Sequence, residues 1–234
     1  PIYSIDSGKY NSAEALLRLN DDMYGYISPE IFIPAAEENG MIHKIGKFVL
    51  EEVCRFIAGE KFKNLGLEYV EVNLSVIQCM SSELSEDVRA VMERYGVSNE
   101  QINLEITETA AAYAQTTMMD NINSLTDDGI AFSLDDFGTG YSNMKRIASM
   151  PFSIVKLDKT FADIDTDDKM IKVVKNTISM VKDMNMKIVV EGVETEKSLR
   201  KFSNLGVDYI QGYYFSRPLP QDKFISEVKR VNQG

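Results

Sequence analysis

The sequence predicts a single β/α barrel of the TIM type, an α/β fold, and two features of the chain lead to it. Short apolar strands and amphipathic helices alternate seven or eight times along the 234 residues, with no linker or low-complexity tract between them. Polar residues recur at the ends of the strands, and a barrel would gather those ends at one mouth. A doubly wound open sheet is the alternative, but it would not bring every strand end to one place.

The N-terminal segment predicts two strands joined by a polar turn. Apolar residues at 2–5 form the first strand, the turn covers 6–11, and the second strand covers 13–19. Residues an even number of positions apart on a strand face the same way, so Glu14 and Arg18 would share one face. Taken alone, an exposed ion pair explains these two residues well.

The later elements follow the same alternation. A serine and a proline mark the start of the first helix, and glycines follow several of the others. The predicted helices cover residues 29–38, 42–58, 82–95, 110–127, 169–184, 199–204 and 221–231. The predicted strands after the N-terminal pair cover 69–75, 102–108, the run from 129 to the paired aspartates 135 and 136, 151–158, 187–194 and 207–212.

Two adjacent carboxylates, Asp135 and Asp136, stand at the centre of this pattern. At the end of a buried strand they would repel each other and lose hydration, which is tolerated where cations or strong donors face them. Gly138 and Gly140 follow, and glycine lets the backbone turn sharply beside a ligand. An Asp-rich turn is an equally good explanation of this stretch alone. The polar residues at strand ends that would join the pair at one mouth are Asn73, Glu105, Lys156, Asp158, Glu191 and Gln211.

Composition narrows the possible functions. The net charge of −11 argues against a nucleic-acid-binding face, so an anionic substrate needs metal ions or local bases. His43 is the only histidine, which disfavours histidine-rich zinc sites and a Ser-His-Asp triad. Cys54 and Cys79 lack metal-ligand spacing and are predicted to be reduced core thiols of a cytosolic protein. No apolar run reaches the length of a membrane span, and the first residues do not form a signal peptide.

Several carboxylates and one amide suit hard divalent cations such as Mg²⁺ or Mn²⁺. One aspartate such as Asp135 can bridge two metals roughly 3.5–4 Å apart, as in enzymes that cleave phosphodiesters. Lys156 would hold the attacking water, and Arg18 would hold a phosphate through its planar guanidinium. The residues therefore predict metal-dependent hydrolysis of a phosphate ester, without naming the substrate.

The motifs resemble those of the EAL-domain phosphodiesterases, which hydrolyse the bacterial second messenger cyclic di-GMP to linear pGpG. The resemblance begins at Glu14-Ala15-Leu16-Leu17-Arg18 and covers nearly the whole chain in order. The other matching segments are 32–37, 73–75, 105–108, 135–142, 156–158, 191–194 and 211–218. It implies a modified (β/α)8 barrel whose first strand is antiparallel to the rest.

The resemblance also implies roles for individual residues. The ligands of one metal would be Glu14, Asn73, Glu105 and Asp135, and those of a second metal would be Asp135, Asp136 and Glu191. Lys156 would orient or help deprotonate the water with support from Glu191, while Arg18, Gln211 and Glu194 would lie at the substrate. Glu108 would brace the loop 137–142, which in the family lies by the dimer interface.

Further expectations concern ions and partners. Two Mg²⁺ or Mn²⁺ ions are expected, and Ca²⁺ is expected to bind without supporting hydrolysis. The expected partners are cyclic di-GMP and a second copy in a homodimer, with no DNA or RNA polymer. The chain is expected to be one EAL-type domain over 1–234, a piece of a longer signalling protein with flanking diguanylate cyclase-like or sensor domains, lacking the family's extreme N-terminal helix. A cytoplasmic location is expected, including the cytoplasmic part of a membrane-anchored protein.

Two positions depart from the family pattern. Ser153 stands where the family often has aspartate, and Ile77 where arginine is frequent. Neither is an implied metal ligand, although the second change would weaken substrate affinity. The main alternative is a receptor that binds cyclic di-GMP or a protein without cutting the nucleotide. An unrelated barrel enzyme acting on a sugar phosphate is a third possibility.

Overall fold

The computed structural model describes residues 1–139, 144–162 and 168–234, and these form a closed barrel of eight strands. Two further strands form a small separate hairpin. The ten strands in chain order are β1 (Ile2–Ser4), β2 (Lys9–Ala15), β3 (Leu19–Asp21), β4 (Gly25–Ile27), β5 (Tyr69–Asn73), β6 (Ile102–Thr107), β7 (Ala131–Phe137), β8 (Phe152–Leu157), β9 (Lys187–Val190) and β10 (Tyr209–Ile210). Around the barrel the order is β1-β10-β9-β8-β7-β6-β5-β2, so the predicted barrel is confirmed and the open sheet is wrong.

The first strand runs against the others. β1 pairs antiparallel with β2 and with β10, whereas each of the remaining neighbouring pairs in the barrel is parallel. A short turn makes this reversal possible: the N–H of Gly8 donates to the carbonyl of Ser4 at 3.1 Å, and Gly8 has a φ of 68°. The antiparallel first strand expected from the family resemblance is therefore confirmed.

The predicted second strand, 13–19, is wrong in its extent. β2 covers Lys9–Ala15, and its last pair with β5 joins Ala15 to Val72, one residue before β5 ends. After Ala15 the chain leaves the barrel and enters the β3–β4 hairpin. Arg18 therefore lies in the connection after the strand, where its Nη1 donates to the carbonyl of Leu17 at 2.9 Å, rather than on the face that carries Glu14.

Helices cover the outside of the barrel. In chain order they are α1 (Pro29–Glu38), α2 (Ile42–Ala58), α3 (Glu60–Lys63), α4 (Val76–Cys79), α5 (Leu84–Tyr95), α6 (Glu108–Ala112), α7 (Thr116–Asp127), α8 (Met144–Ile147), α9 (Lys159–Ala162), α10 (Asp168–Asp183), α11 (Glu196–Leu205) and α12 (Gln221–Asn232), and a 3₁₀ turn covers Asn99–Gln101. None of the helices in the described part of the chain is both long and apolar enough to cross a membrane.

Most predicted helices are present with shifted ends, but the predicted helix 110–127 is wrong. It is two helices: α6 begins at Glu108, where the Thr107 hydroxyl accepts a hydrogen bond from the N–H of Ala110, and it ends at Ala112. α7 then begins separately at Thr116. The first helix starts as predicted, with the Ser28 hydroxyl accepting from the N–H of Glu30. These caps satisfy N–H groups that have no partner within the helix.

Apolar packing occupies the space between strands and helices, and the barrel lumen is largely polar. Alternate residues of the central strands, such as Leu104, Phe132 and Leu134, are fully buried against the helices. The two cysteines, Cys54 and Cys79, are unpaired and buried in this layer, and burial raises the pKa of each thiol to about 12. The apolar layer fixes the strands, and the strands fix the directions of the polar side chains inside.

Candidate active site

Polar side chains converge at the end of the barrel where the parallel strands finish. Glu14 on β2, Asn73 on β5, Asp135 on β7 and Glu191 just after β9 all lie at this mouth. A cavity of about 890 Å³ opens there. The predicted site residues that line it are Glu14, Arg18, Asp135, Asp136, Asp158, Glu191, Glu194 and Gln211.

Lys156 lies at the centre of the cluster and has no exposed surface. Five carboxylates surround its Nζ within 4 Å. The distances from Nζ are 2.6 Å to Glu105 Oε1, 2.9 Å to Glu191 Oε1, 3.3 Å to Glu14 Oε2, 3.5 Å to Glu71 Oε2 and 3.9 Å to Asp135 Oδ1. Burial alone would lower the pKa of this lysine, but Glu105, Glu14 and Glu191 outweigh it and raise the pKa well above its ordinary value. The surrounding carboxylates therefore favour the ammonium form of Lys156.

Glu14 is held by three donors. Its Oε1 accepts from the side-chain amide of Asn73 at 2.8 Å, and its Oε2 accepts from Gln211 at 2.7 Å and from Lys156 at 3.3 Å. Burial of the carboxyl opposes ionisation, but Lys156 and these hydrogen bonds overcome that cost and lower the pKa of Glu14. Side chains from three parts of the chain that are distant in sequence thus fix one carboxylate in a single orientation.

Glu71 belongs to the cluster but is absent from the predicted set. It lies on β5 two residues before Asn73, is fully buried and points into the lumen beside Glu105. Removal from water raises the pKa of both carboxyls, and the neighbouring Glu71 adds to the shift of Glu105. The alternation Glu71–Asn73, inside an otherwise apolar strand, is the signal in the sequence that could have identified it.

A second group of carboxylates lies nearer the surface of the mouth. Oxygen atoms of Asp135, Asp136 and Glu191 all lie within 4.8 Å of one another. Asp136 has a φ of 56°, a left-handed conformation that is costly for a residue with a side chain, and its N–H donates to Asp135 Oδ1 at 2.8 Å. Burial, followed by repulsion from Asp135, raises the pKa of Asp136. The repulsion between these carboxylates marks a place where a cation would stabilise the chain.

The donor set fits divalent metal ions. It consists of carboxylate and amide oxygens, which hard cations prefer. Oε2 of Glu105 and Oε1 of Gln211 are buried and have no hydrogen-bond donor among the described residues, so lone pairs at the site remain available. The residues that would hold metal are Glu14, Asn73, Glu105, Asp135, Asp136 and Glu191. Their assignment to individual ions stays a prediction.

Glu108 supports the turn that follows the aspartate pair. Its Oε2 accepts from the N–H of Gly138 at 2.8 Å, and the side chain is almost fully buried. Gly138 has a φ of 101°, and a Cβ there would lie 2.2 Å from the ring of Phe161. The turn therefore requires glycine at this position. The rest of the predicted loop, from Gly140 to Ser142, lies outside the described residues.

The predicted substrate residues surround the large cavity. Arg18 and Glu194 are exposed at its edge, and Gln211 is half-buried beside Glu14. Asp158 is buried, with its Oδ1 accepting from the N–H of Thr160 at 2.9 Å. A second cavity of about 580 Å³ lies on the other side of the Glu14–Arg18 segment and is mainly apolar.

Comparison with known proteins identifies the family of this site. The EAL domain family model matches residues 1–218. The chain belongs to the EAL domain family. This EAL domain is 36% identical over 219 residues to the oxygen sensor protein DosP of Escherichia coli, and 32% identical over 221 residues to the cyclic di-GMP phosphodiesterase NbdA of Pseudomonas aeruginosa. The alignments cover 93% and 94% of this chain, so the resemblance seen in the motifs is confirmed.

Solved EAL structures share the fold. The PaMucR phosphodiesterase in complex with c-di-GMP superposes with a TM-score of 0.89 at 32% identity, over 96% of this chain and 91% of that one. Family membership excludes the third possibility, an unrelated barrel enzyme that acts on a sugar phosphate. The chain spans only 27% of DosP and 28% of NbdA, so both relatives carry segments beyond the matched region.

Proposed function

We propose that this EAL domain hydrolyses one phosphodiester bond of cyclic di-GMP to give linear pGpG, in a reaction that requires divalent metal ions. One observation carries the proposal: a fully buried lysine, Lys156, lies among carboxylates at the mouth of a large cavity. Carboxylates at a cavity mouth attract cations, and metal ions bound there would in turn bind an anionic ester. The family match supports cyclic di-GMP as that ester.

The cavities suit a ligand with two nucleotide halves. Glu14, Leu16 and Arg18 line both cavities, so the two spaces meet at one segment of chain. Each lies within the roughly 300–1,000 Å³ typical of small-molecule sites. The guanidinium of Arg18 stands at the junction, where its planar fork would engage a phosphate. The apolar residues of the second cavity, such as Phe32 and Ile33, would contact the face of a base.

The chemistry divides between the ions and the side chains. When bound, divalent cations would polarise the scissile phosphate and acidify the attacking water. Lys156, being an ammonium, would donate a hydrogen bond that holds the water rather than act as a base. Glu191 Oε1 lies 2.9 Å from Nζ and would accept the proton of that water. The water oxygen forms the new bond to phosphorus, the P–O3′ bond breaks, and the 3′ oxygen leaves with a proton taken from solvent.

The same proposal extends to the identity of the ions, the oligomeric state and the location of the domain. Two ions, Mg²⁺ or Mn²⁺, would divide the ligand set, with Asp135 shared between them. Ca²⁺ would bind, but its longer bonds and looser coordination would misplace the water. The active form would be a homodimer. The hydrogen bond between Glu108 and Gly138 would then link the loop 137–142, at the dimer interface, to the metal site. The domain would act in the cytoplasm as part of a longer protein with sensor or diguanylate cyclase-like segments.

A direct assay separates the enzyme from the receptor alternative. The chain is incubated with cyclic di-GMP and Mn²⁺, and the nucleotides are resolved by chromatography. Hydrolysis predicts accumulation of pGpG that stops when a chelator is added. A receptor would bind cyclic di-GMP in the same buffer and return it unchanged.

A further inference from the structure

Glu71 is a buried carboxylate that lies beneath the mouth of the barrel. Its side chain has no exposed surface. It lies on β5 two residues before Asn73, and both side chains face the inside of the barrel. It therefore lies one layer deeper in the lumen than the strand end that carries Asn73. Its Oε2 lies 3.5 Å from Nζ of Lys156. The family motif that the chain matches on this strand begins two residues later, at Asn73.

In the proposed mechanism Lys156 is an ammonium when metal ions are bound. Four of the five carboxylates within 4 Å of its Nζ belong to the proposed ligand set: Glu14, Glu105, Asp135 and Glu191. Cations bound to those four would compete with the ammonium for the same oxygens. Among the described residues, Glu71 is the one carboxylate within this distance that lies outside the ligand set.

We propose that Glu71 is a positioning residue that holds the ammonium of Lys156 from inside the barrel when the other four carboxylates are bound to metal. The inference rests on the proposed function of the site. Glu71 contacts neither substrate nor water in this account, and acts only through the lysine. A buried ammonium without such a counter-ion would be costly and would move toward the metal ligands.

Substitution by glutamine tests the role while keeping the shape of the side chain. Glu71→Gln should lower kcat about tenfold with KM for cyclic di-GMP changed less than about twofold, the scale seen when groups behind metal ligands are altered. The melting temperature of the metal-free protein should stay the same or rise, because the substitution removes one negative charge from a cluster with an excess of them. A residue needed only for folding would lower the melting temperature and turnover together.

A second measurement does not depend on activity. Mn²⁺ binding is measured by calorimetry for four proteins: wild type, Glu71→Gln, Lys156→Met and the double variant. Without Glu71, the ammonium of Lys156 should compete more strongly with Mn²⁺ for the other carboxylates. The factor by which Glu71→Gln raises the Kd for Mn²⁺ should therefore be at least about threefold larger in the wild-type background than in the Lys156→Met background. Glu227→Gln is the matched control, since it removes a carboxylate on α12 that bonds Tyr10 and Arg230 outside the cluster.

The outcomes separate this inference from the proposed function. A wild-type chain that leaves cyclic di-GMP intact contradicts the proposed function. The comparison of Mn²⁺ binding by the four proteins would still test the role of Glu71. Equal Mn²⁺ effects of Glu71→Gln in both backgrounds would overturn the inference, because Glu71 would then act on the metals directly. Normal kcat in Glu71→Gln, in an active enzyme, would overturn it as well.

Discussion

The Nζ of Lys156 lies 2.6 Å from Oε1 of Glu105, and neither side chain has any exposed surface. The ammonium form of Lys156 and the Glu105 carboxyl stabilise each other at this distance. β6 and β8 are not neighbours in the barrel, so the pair joins two strands across the lumen. The lysine is thus fixed by the same carboxylates that would bind metal, and its removal should affect chemistry more than nucleotide binding.

Lys156→Met should lower turnover at least about a hundredfold, the scale of losing one preorganised electrostatic group. The methionine fills a similar volume but cannot hold the water, whereas the cavity and its edge remain. Cyclic di-GMP binding in Ca²⁺, measured by calorimetry, should therefore stay within a few-fold of wild type. Parallel loss of binding and turnover would show that the lysine captures substrate.

Arg18→Lys should weaken cyclic di-GMP binding about tenfold although the charge is kept, because lysine cannot make two parallel hydrogen bonds to one phosphate. The measurement is the Kd in Ca²⁺. Arg200→Lys is the control, since Arg200 pairs with Glu196 on the exposed face of α11. Wild-type affinity in Arg18→Lys would contradict the proposed phosphate contact.

The metal-free protein should lose stability as the pH rises from 5 to 8. Burial raises the pKa of Glu191 to about 7 in the folded chain, against an ordinary value of 4.5. Between these two values the folded chain binds more protons than the unfolded chain, so the free energy of unfolding falls with rising pH. Saturating Mn²⁺ should remove the fall, because cations then replace the protons.

Melting temperatures in chelator and in Mn²⁺ across this pH range provide the check. Glu191→Gln should show a smaller fall in chelator, since the amide does not titrate. A melting temperature in chelator that is flat or rises between pH 5 and 8 would contradict the buried, repelling carboxylates described here.

Glu108→Leu should lower turnover about tenfold, whereas Glu108→Gln should lower it less. The glutamine oxygen can still accept from the N–H of Gly138, but leucine leaves that buried donor unpaired, at a cost of about 1–3 kcal/mol. The measurement is the turnover and the melting temperature of both variants, each compared with wild type. Equal turnover in the two variants would show that the hydrogen bond does not support the site.

The residue pattern predicts the barrel and most of the candidate site. It fails for the end of β2, which depends on strand pairing, and for Glu71, which lies deep in the barrel lumen. The alternation of strands and helices leads to the closed barrel, and the strand-end rule brings Glu14, Asp135 and Glu191 together. The end of β2 depends on where its pairing with β5 stops, which local sequence does not reveal. Glu71 is missed for a similar reason, because a single glutamate on a strand does not show that a lysine from β8 reaches it.

The most direct test of the central claim measures bound metal and product in the same sample. Wild type and Asp135→Asn are each titrated with Mn²⁺, Mg²⁺ and Ca²⁺ in the presence of cyclic di-GMP, and pGpG is quantified at each step. We expect wild type to bind two Mn²⁺ or Mg²⁺ ions and form pGpG, to bind Ca²⁺ with little product, and to lose activity in chelator. Asp135→Asn should lose both tight metal binding and product. Full conversion in chelator, or an unchanged substrate with both ions bound, would contradict the account.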